Sequence, residues 1–253
     1  MNLLEGGNIW SDVVTDFDPS KVGAPLSQTT QKFLTPLGVK LEVIGSCWKP
    51  RYRADGSVVT SNDLDAMVEL STLMDKFGTS DGKTTRQALD DYLQKQGITT
   101  HKAGVTVHTR MPMGDKFYQV DIKVVPNAAK VAQYHRHDIP QGSPYKGVNK
   151  QLVMNALASS QGMLWSPDEG LYKRDAVGKK AELLSDDWDT IAQYLLGKGA
   201  KGSDLGSVES IMAKIPDPKR KEDIMNTARG GKSWQAATPN VTEWFRRALD
   251  ILK

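Results

Sequence analysis

Ser61-Asn62-Asp63-Leu64-Asp65-Ala66-Met67-Val68 is the stretch whose reading decides the fold. Acids at 63 and 65 alternate with apolar residues at 64, 66 and 68, the period-two pattern of a strand with one face toward a core. Residues two apart on a strand share a side, about 6.6 Å apart at roughly 3.3 Å rise per residue. Asp63 and Asp65 therefore project together, and Leu64, Ala66 and Val68 form the core-facing row. Tyr118-Gln119-Val120-Asp121-Ile122-Lys123-Val124 repeats the pattern. If its row Tyr118, Val120, Ile122, Val124 is the buried one, Asp121 stands on the other face beside Lys123. Three carboxylates on strand faces make a hard oxygen site suited to Mg²⁺, with Mn²⁺ as the alternative. Like charges gathered in this way have little structural purpose without a cation.

Outward from these strands, Gly6-Gly7, Asp18-Pro19 and Gly23 mark residues 3–24 as mostly loop. A helix is expected from Pro25, with Leu26, Thr30, Phe33, Leu34 and Leu37 on one side, Pro36 near its end and Gly38 as its stop. Val39 to Gly45 reads as a strand leading to Gly45-Ser46. The sixteen residues from Cys47 to Asn62 contain the turn Asp55-Gly56, flanked by Arg51-Tyr52-Arg53 and Ser57-Val58-Val59, the pattern of a small hairpin arm. Its Lys49, Arg51 and Arg53 could face a triphosphate or simply water. Helical sequence follows from about Ser71 to Gln96, interrupted near 78–83. A strand pair, Val105–Met111 and Phe117–Val125, then turns at Gly114-Asp115. Together these elements predict an α+β unit around one mixed or antiparallel sheet.

Past Pro126 the pattern changes, and the remainder reads as a mainly helical domain. We expect domains at 1–140 and 141–253. Ser143-Pro144 has the form of an N-cap followed by proline at the first helical position. The helix it opens runs to about Ser160 and carries Lys146 and Lys150 at i,i+4 spacing. A short hairpin turns at Asp168-Glu169-Gly170, and further helices are expected at 186–197, 205–214, 217–229 and 239–252.

Composition narrows the function classes. With 253 residues, 39% hydrophobic and 25% charged, the chain has the make-up of an ordinary globular protein with room for one or two domains. No apolar run approaches the roughly 20 residues that span a bilayer, so no membrane role is expected. A single cysteine, Cys47, rules out an internal disulfide and a multi-cysteine zinc site. With no secretory signal read at the start, the expected compartment is the cytoplasm. The net charge of +3 does not by itself imply nucleic-acid binding, although Leu195 to Lys253 carries 11 Lys and Arg against 7 Asp and Glu.

Gly45-Ser46, then Asp63-x-Asp65, then a lone Asp121 in an apolar strand resembles the polymerase β-type nucleotidyltransferase superfamily. The resemblance covers roughly residues 39–125. More loosely, the chain is similar to uncharacterised nucleotidyltransferase-like proteins of tailed bacteriophages, in Leu3-Leu4-Glu5-Gly6-Gly7-Asn8-Ile9, Tyr145-Lys146-Gly147 and Trp165-Ser166 through Gly170-Leu171. A phage origin would place it in the host cytoplasm. The first resemblance implies a nucleotidyltransferase-type mixed sheet with flanking helices. It also implies transfer of a nucleoside monophosphate from a nucleoside triphosphate to an acceptor hydroxyl, with pyrophosphate leaving. Asp63 and Asp65 would hold two metal ions and Asp121 the one on the acceptor side. Gly45 would let the backbone approach the triphosphate, Ser46 would donate to it, and Lys146 and Lys150 would contact it. RNA or a tRNA end is the favoured acceptor. The alternative is a non-catalytic nucleotide- or nucleic-acid-binding module of the same fold; a phage structural protein is the third reading.

Other motifs weigh less. Gly231-Lys232-Ser233 mimics the end of a P-loop, but helical sequence precedes it. His135-Arg136-His137 lacks a partner cluster for a metal. His101 and His108 read as isolated strand or surface residues, and the tryptophans as packing anchors, with Trp48 alone placed to stack on a base. No Gly-x-Ser-x-Gly elbow supports a serine hydrolase.

Overall fold

Leu64, Ala66 and Val68 have no exposed surface, and neither do Val120 and Ile122, so both alternating rows are the buried ones. In the computed structural model, which describes residues 9–53, 55–136 and 138–230, the chain divides into two compact units, Met1–His137 and Asp138–Lys253.

The first unit is built on a five-stranded mixed sheet. Its strands are β1 (Glu42–Val43), β2 (Asp63–Glu69), β3 (Thr99–Ala103), β4 (Thr106–Met113) and β5 (Lys116–Val125), in the order β1-β2-β5-β4-β3. β2 and β5 run parallel, with Asp65 opposite Asp121 and Asp63 opposite Gln119; every other pair is antiparallel. Gly114, with φ 65°, closes the tight turn from β4 to β5.

One face of this sheet is covered by α1 (Pro19–Leu34), α3 (Leu70–Phe77) and α4 (Gly82–Lys95), with the single turn α2 (Gly45–Trp48) between α1 and α3 in the chain. Leu26 and Leu34 of α1, Leu73 of α3, and Leu89 and Leu93 of α4 share one core with Leu64, Val68, Val107, Met111, Val120 and Ile122. α5 (Ala128–His135) packs on β1, β2 and β5, and its first amide, Ala128 N–H, donates to Glu69 Oε2 at 2.7 Å.

Several expectations need correction. α1 begins at Pro19, not Pro25. The Asp18 carboxylate accepts from Ser20 N–H and caps the helix, Pro19 takes a first-turn position, and Pro25 sits inside it. The strand expected over Val39–Gly45 is only two residues long, because Gly45 turns the chain into α2. The helix that resumes after the interruption near 78–83 is capped by Asp81, which accepts from Lys83 and Thr84 N–H. Two elements, β3 and α5, were not foreseen. β3 has a mostly polar, partly exposed sequence with no buried apolar row.

In the second unit, α6 runs Gly147–Ser159 rather than starting at Ser143-Pro144. Ser143 Oγ instead accepts Tyr145 N–H in a local turn, and Asn149 Oδ1 reaches back to Lys146 N–H at 2.6 Å, which sets the start later. The hairpin β6 (Met163–Ser166) and β7 (Gly170–Arg174) gains a third antiparallel strand, β8 (Lys180–Ser185). Among the described residues the unit is mainly helical, with one three-stranded antiparallel sheet. β8 is largely exposed, so its residues carry no alternating signal. Helices α7 (Trp188–Leu196), α8 (Val208–Lys214) and α9 (Pro218–Arg229) follow, and the helix expected at 239–252 lies outside the described residues. Trp165 and Trp188 pack with ring centroids 5.7 Å apart, and Gly202 lies so close to Trp188 that any side chain there would overlap the indole. Among the described residues, no helix is long and apolar enough to cross a membrane.

Because Leu64 sits on the buried row between two partner strands, Leu64→Ala should cost about 2–5 kcal/mol. Hydrogen exchange of the β2 and β5 amides is the measurement. A cost below about 1 kcal/mol would mean that this row does not carry the core.

Candidate metal centre

On the sheet face opposite the core, the register lays side chains out in two transverse rows. One row runs His101, His108, Asp121, Asp65 across β3, β4, β5 and β2; the next runs Arg110, Gln119, Asp63 across β4, β5 and β2. Asp63, Asp65 and Asp121 thereby converge, each offering one carboxylate oxygen within 4.8 Å of the others. Asp121 is buried and the other two are half-buried. An all-carboxylate set of this kind fits a hard divalent cation such as Mg²⁺ or Mn²⁺.

The electrostatics match the geometry. Burial, then Asp65 and Asp121 in turn, push the Asp63 carboxyl up to about 8. Burial and Asp121 raise Asp65 to about 6, with Lys123 and His108 pulling the other way. Desolvation and like-charge repulsion both disfavour the ionised forms, and a cation among the three carboxylates removes both penalties.

Around the acids the backbone is tied down. Ile44 N–H donates to Asp65 O at 3.0 Å, which fixes the start of α2 against β2. Gly45 has φ 63°, and a Cβ there would stand 2.8 Å from Asp65 Oδ2. Glycine is needed both for the left-handed backbone and for this close approach. Ser46 Oγ lies 2.6 Å from Ser61 Oγ, and Ser61 Oγ donates its proton to Asp63 O at 3.0 Å. Ser46 is therefore the donor to Ser61, and to donate to a phosphate it must give up that bond. The Ser46–Ser61 contact also closes the base of the arm over 47–60. Along the arm, Tyr52 pairs with Val58, and Trp48 and Tyr52 are exposed. The Arg136 guanidinium stands 5.4 Å from the Trp48 ring. Cys47 Sγ lies 3.7 Å from Asp63 O, and burial, reinforced by Asp65 and Asp63, pushes its thiol up to about 12, so it is neither a thiolate ligand nor a nucleophile near neutrality.

His108 also stands at this cluster, where the sequence reading left it as an isolated strand or surface residue. Its Nδ1 lies 2.8 Å from Asp121 Oδ1, and Gln119 Nε2 donates to the same oxygen at 3.1 Å. A signal was available. The two-residue turn at Gly114-Asp115 sets Met113 against Lys116, and counting back along both strands puts His108 opposite Asp121.

Lys146 and Lys150 belong to the second unit, at the N-cap and in the first turn of α6. Lys146 is exposed. Lys150 is buried, with its ammonium 5.4 Å from the Trp188 ring, and burial lowers it to about 7. Such a group is only partly charged at neutral pH. His135 is buried in the last turn of α5; His137 and Gly231-Lys232-Ser233 lie outside the described residues.

Two outcomes follow from this geometry. With the folded-state carboxyls raised above an ordinary aspartate, the metal-free folded chain keeps protons that the unfolded chain releases above about pH 4. Its stability should therefore fall as pH rises from about 4 to about 8, less so in Asp63→Asn, and stabilisation by Mn²⁺ should grow over the same window. Thermal melts across pH, with and without Mn²⁺, read this, and a flat profile would contradict it. Gly45→Ala should cost about 1–2 kcal/mol from the backbone alone, measured by denaturant unfolding, and should blunt the Mn²⁺ response by displacing Asp65.

Neither any protein-family model nor any curated protein matches this chain.

Proposed function

We propose that this chain is a metal-dependent nucleotidyltransferase, and that its first unit has the nucleotidyltransferase-type fold. It would transfer a nucleoside monophosphate from a nucleoside triphosphate to an acceptor hydroxyl, with pyrophosphate leaving. The observation that carries this reading is the convergence of Asp63, Asp65 and Asp121 on one face of a mixed sheet, within 4.8 Å, next to a glycine that leaves room for Asp65. The resemblance of Gly45-Ser46, Asp63-x-Asp65 and Asp121 to the polymerase β-type superfamily supports it further.

Each side chain has a physical role in this proposal. The three carboxylates hold divalent cations, and their burial makes that preference strong. Bound there, such cations supply charge stabilisation for the attacking and leaving oxygens of an in-line displacement at phosphorus. Gly45 keeps the turn thin, so that a triphosphate can approach the backbone, and Ser46 offers its hydroxyl once released from Ser61. Lys146, by the resemblance, adds a positive charge for the triphosphate, with Lys150 the weaker contributor. The acceptor is RNA or a tRNA end, in keeping with the excess of Lys and Arg from Leu195 to Lys253.

Incubation with Mg²⁺ or Mn²⁺, labelled nucleoside triphosphates and total RNA tests the proposal. Label should move to RNA with the wild-type chain and fall to background with Asp63→Ala or Asp65→Ala. Equal transfer by those variants would remove the acids from the chemistry. Triphosphate binding that needs metal, with no transfer to any acceptor, would make the chain a non-catalytic binding module instead.

A further inference from the structure

Asp121 differs from the other two acids in how it is held. Its Oδ1 receives two N–H groups, from His108 Nδ1 at 2.8 Å and Gln119 Nε2 at 3.1 Å. An ionised carboxylate only accepts, so His108 carries its proton on Nδ1. The orientation of Gln119 is fixed independently, because Ile9 N–H donates to its Oε1 at 2.8 Å and so turns the amide nitrogen toward Asp121. Both donors come from the sheet itself: His108 sits directly opposite Asp121 on β4, and Gln119 lies two residues before it on β5. Gln119 is buried and His108 half-buried.

We propose that His108 and Gln119 are positioning residues, a two-donor clamp on Oδ1 of Asp121 that presents its Oδ2 alone to a divalent cation. The proposal rests on the reading of Asp63, Asp65 and Asp121 as a metal site. Asp121 faces Asp65 across the parallel strand pair, and without the clamp repulsion turns its carboxylate away from the cluster or leaves it free to rotate. With both lone pairs of Oδ1 engaged, the carboxylate is locked about its Cβ–Cγ bond and binds through one oxygen. Partners of metal ligands that act in this way typically change affinity by about 10–100-fold when removed.

Mn²⁺ binding to the full chain, followed by the electron paramagnetic resonance signal of free Mn²⁺, tests the clamp without reference to turnover. His108→Phe keeps a planar ring of similar size and removes the donor; Gln119→Met does the same for the amide. Each should weaken Mn²⁺ binding about 10–100-fold, while hydrogen exchange of the β5 amides stays as in the wild type. His108→Gln, which restores an N–H at similar reach, should recover most of the affinity, a rescue that a merely space-filling role does not give. If Asp65→Asn abolishes Mn²⁺ binding but both His108→Phe and Gln119→Met bind as the wild type does, the clamp is overturned and the metal site stands. If the wild type itself shows no Asp65-dependent binding, the metal site falls and the clamp falls with it.

Discussion

The parallel pairing of β2 with β5 sets Asp65 directly against Asp121, two like charges on neighbouring strands, and the rest of the first unit follows from how that pairing is held. The opposite faces of the same strands supply the driving force. Leu64, Ala66 and Val68 with Val120, Ile122 and Val124 bury a continuous apolar surface under α1, α3 and α4. A slip of one residue in either strand would turn the acids into the core and the apolar row outward, so the hydrophobic pattern fixes the register of the carboxylates. The acids are not where the fold would put them for its own stability; the core holds them there.

The same logic extends sideways through the sheet. Because β4 pairs with β5 through a tight turn, His108 has no choice but to lie opposite Asp121, and Arg110 opposite Gln119. Arg110 in turn pairs with Asp12 and stands over the Phe117 ring, and Val14 N–H bonds to Phe117 O. Phe17 pairs with Ser61, and Asp16 N–H donates to Asn62. The segment from Ile9 to Phe17 thus crosses the ends of β2, β4 and β5 that carry the site. What composition marks as loop is a tied strip of backbone, held to β4 at Arg110, to β5 at Phe117 and Gln119, and to residues 60–62 just before β2.

How much of this was legible depended on whether the signal was local. The two acidic strands and the β4–β5 turn follow from alternation and need no knowledge of neighbours, whereas the meeting of the three acids depends on β2 pairing with β5. The helix expected at 217–229 matches α9, which opens at Asp217-Pro218, while the same pair at Asp18-Pro19 opens α1 in a stretch whose glycines read as loop. Strands β3 and β8 escaped because their side chains are mostly polar and exposed, and pairing alone makes them strands. His108 was treated as an isolated histidine because pairing partners are a property of two segments together. Lys150 shows the opposite error: i,i+4 spacing with Lys146 suggested a shared solvent face, whereas the helix turns Lys150 inward and Lys146 outward.

The strip from Ile9 to Phe17 also bears on the order in which the contacts can close. Loop-closure cost grows with the length of chain between partners. His108 meets Asp121 across a tight hairpin, a small loop that closes at little entropic cost. Asp65 must find Asp121 across a crossover that includes two helices, and Ile9 reaches Gln119 over a separation of 110 residues. Contacts of such long range slow folding relative to local ones. The hairpin half of the acidic cluster is therefore the entropically cheap half, and the backbone strip that steadies Gln119 closes the longest of these three loops.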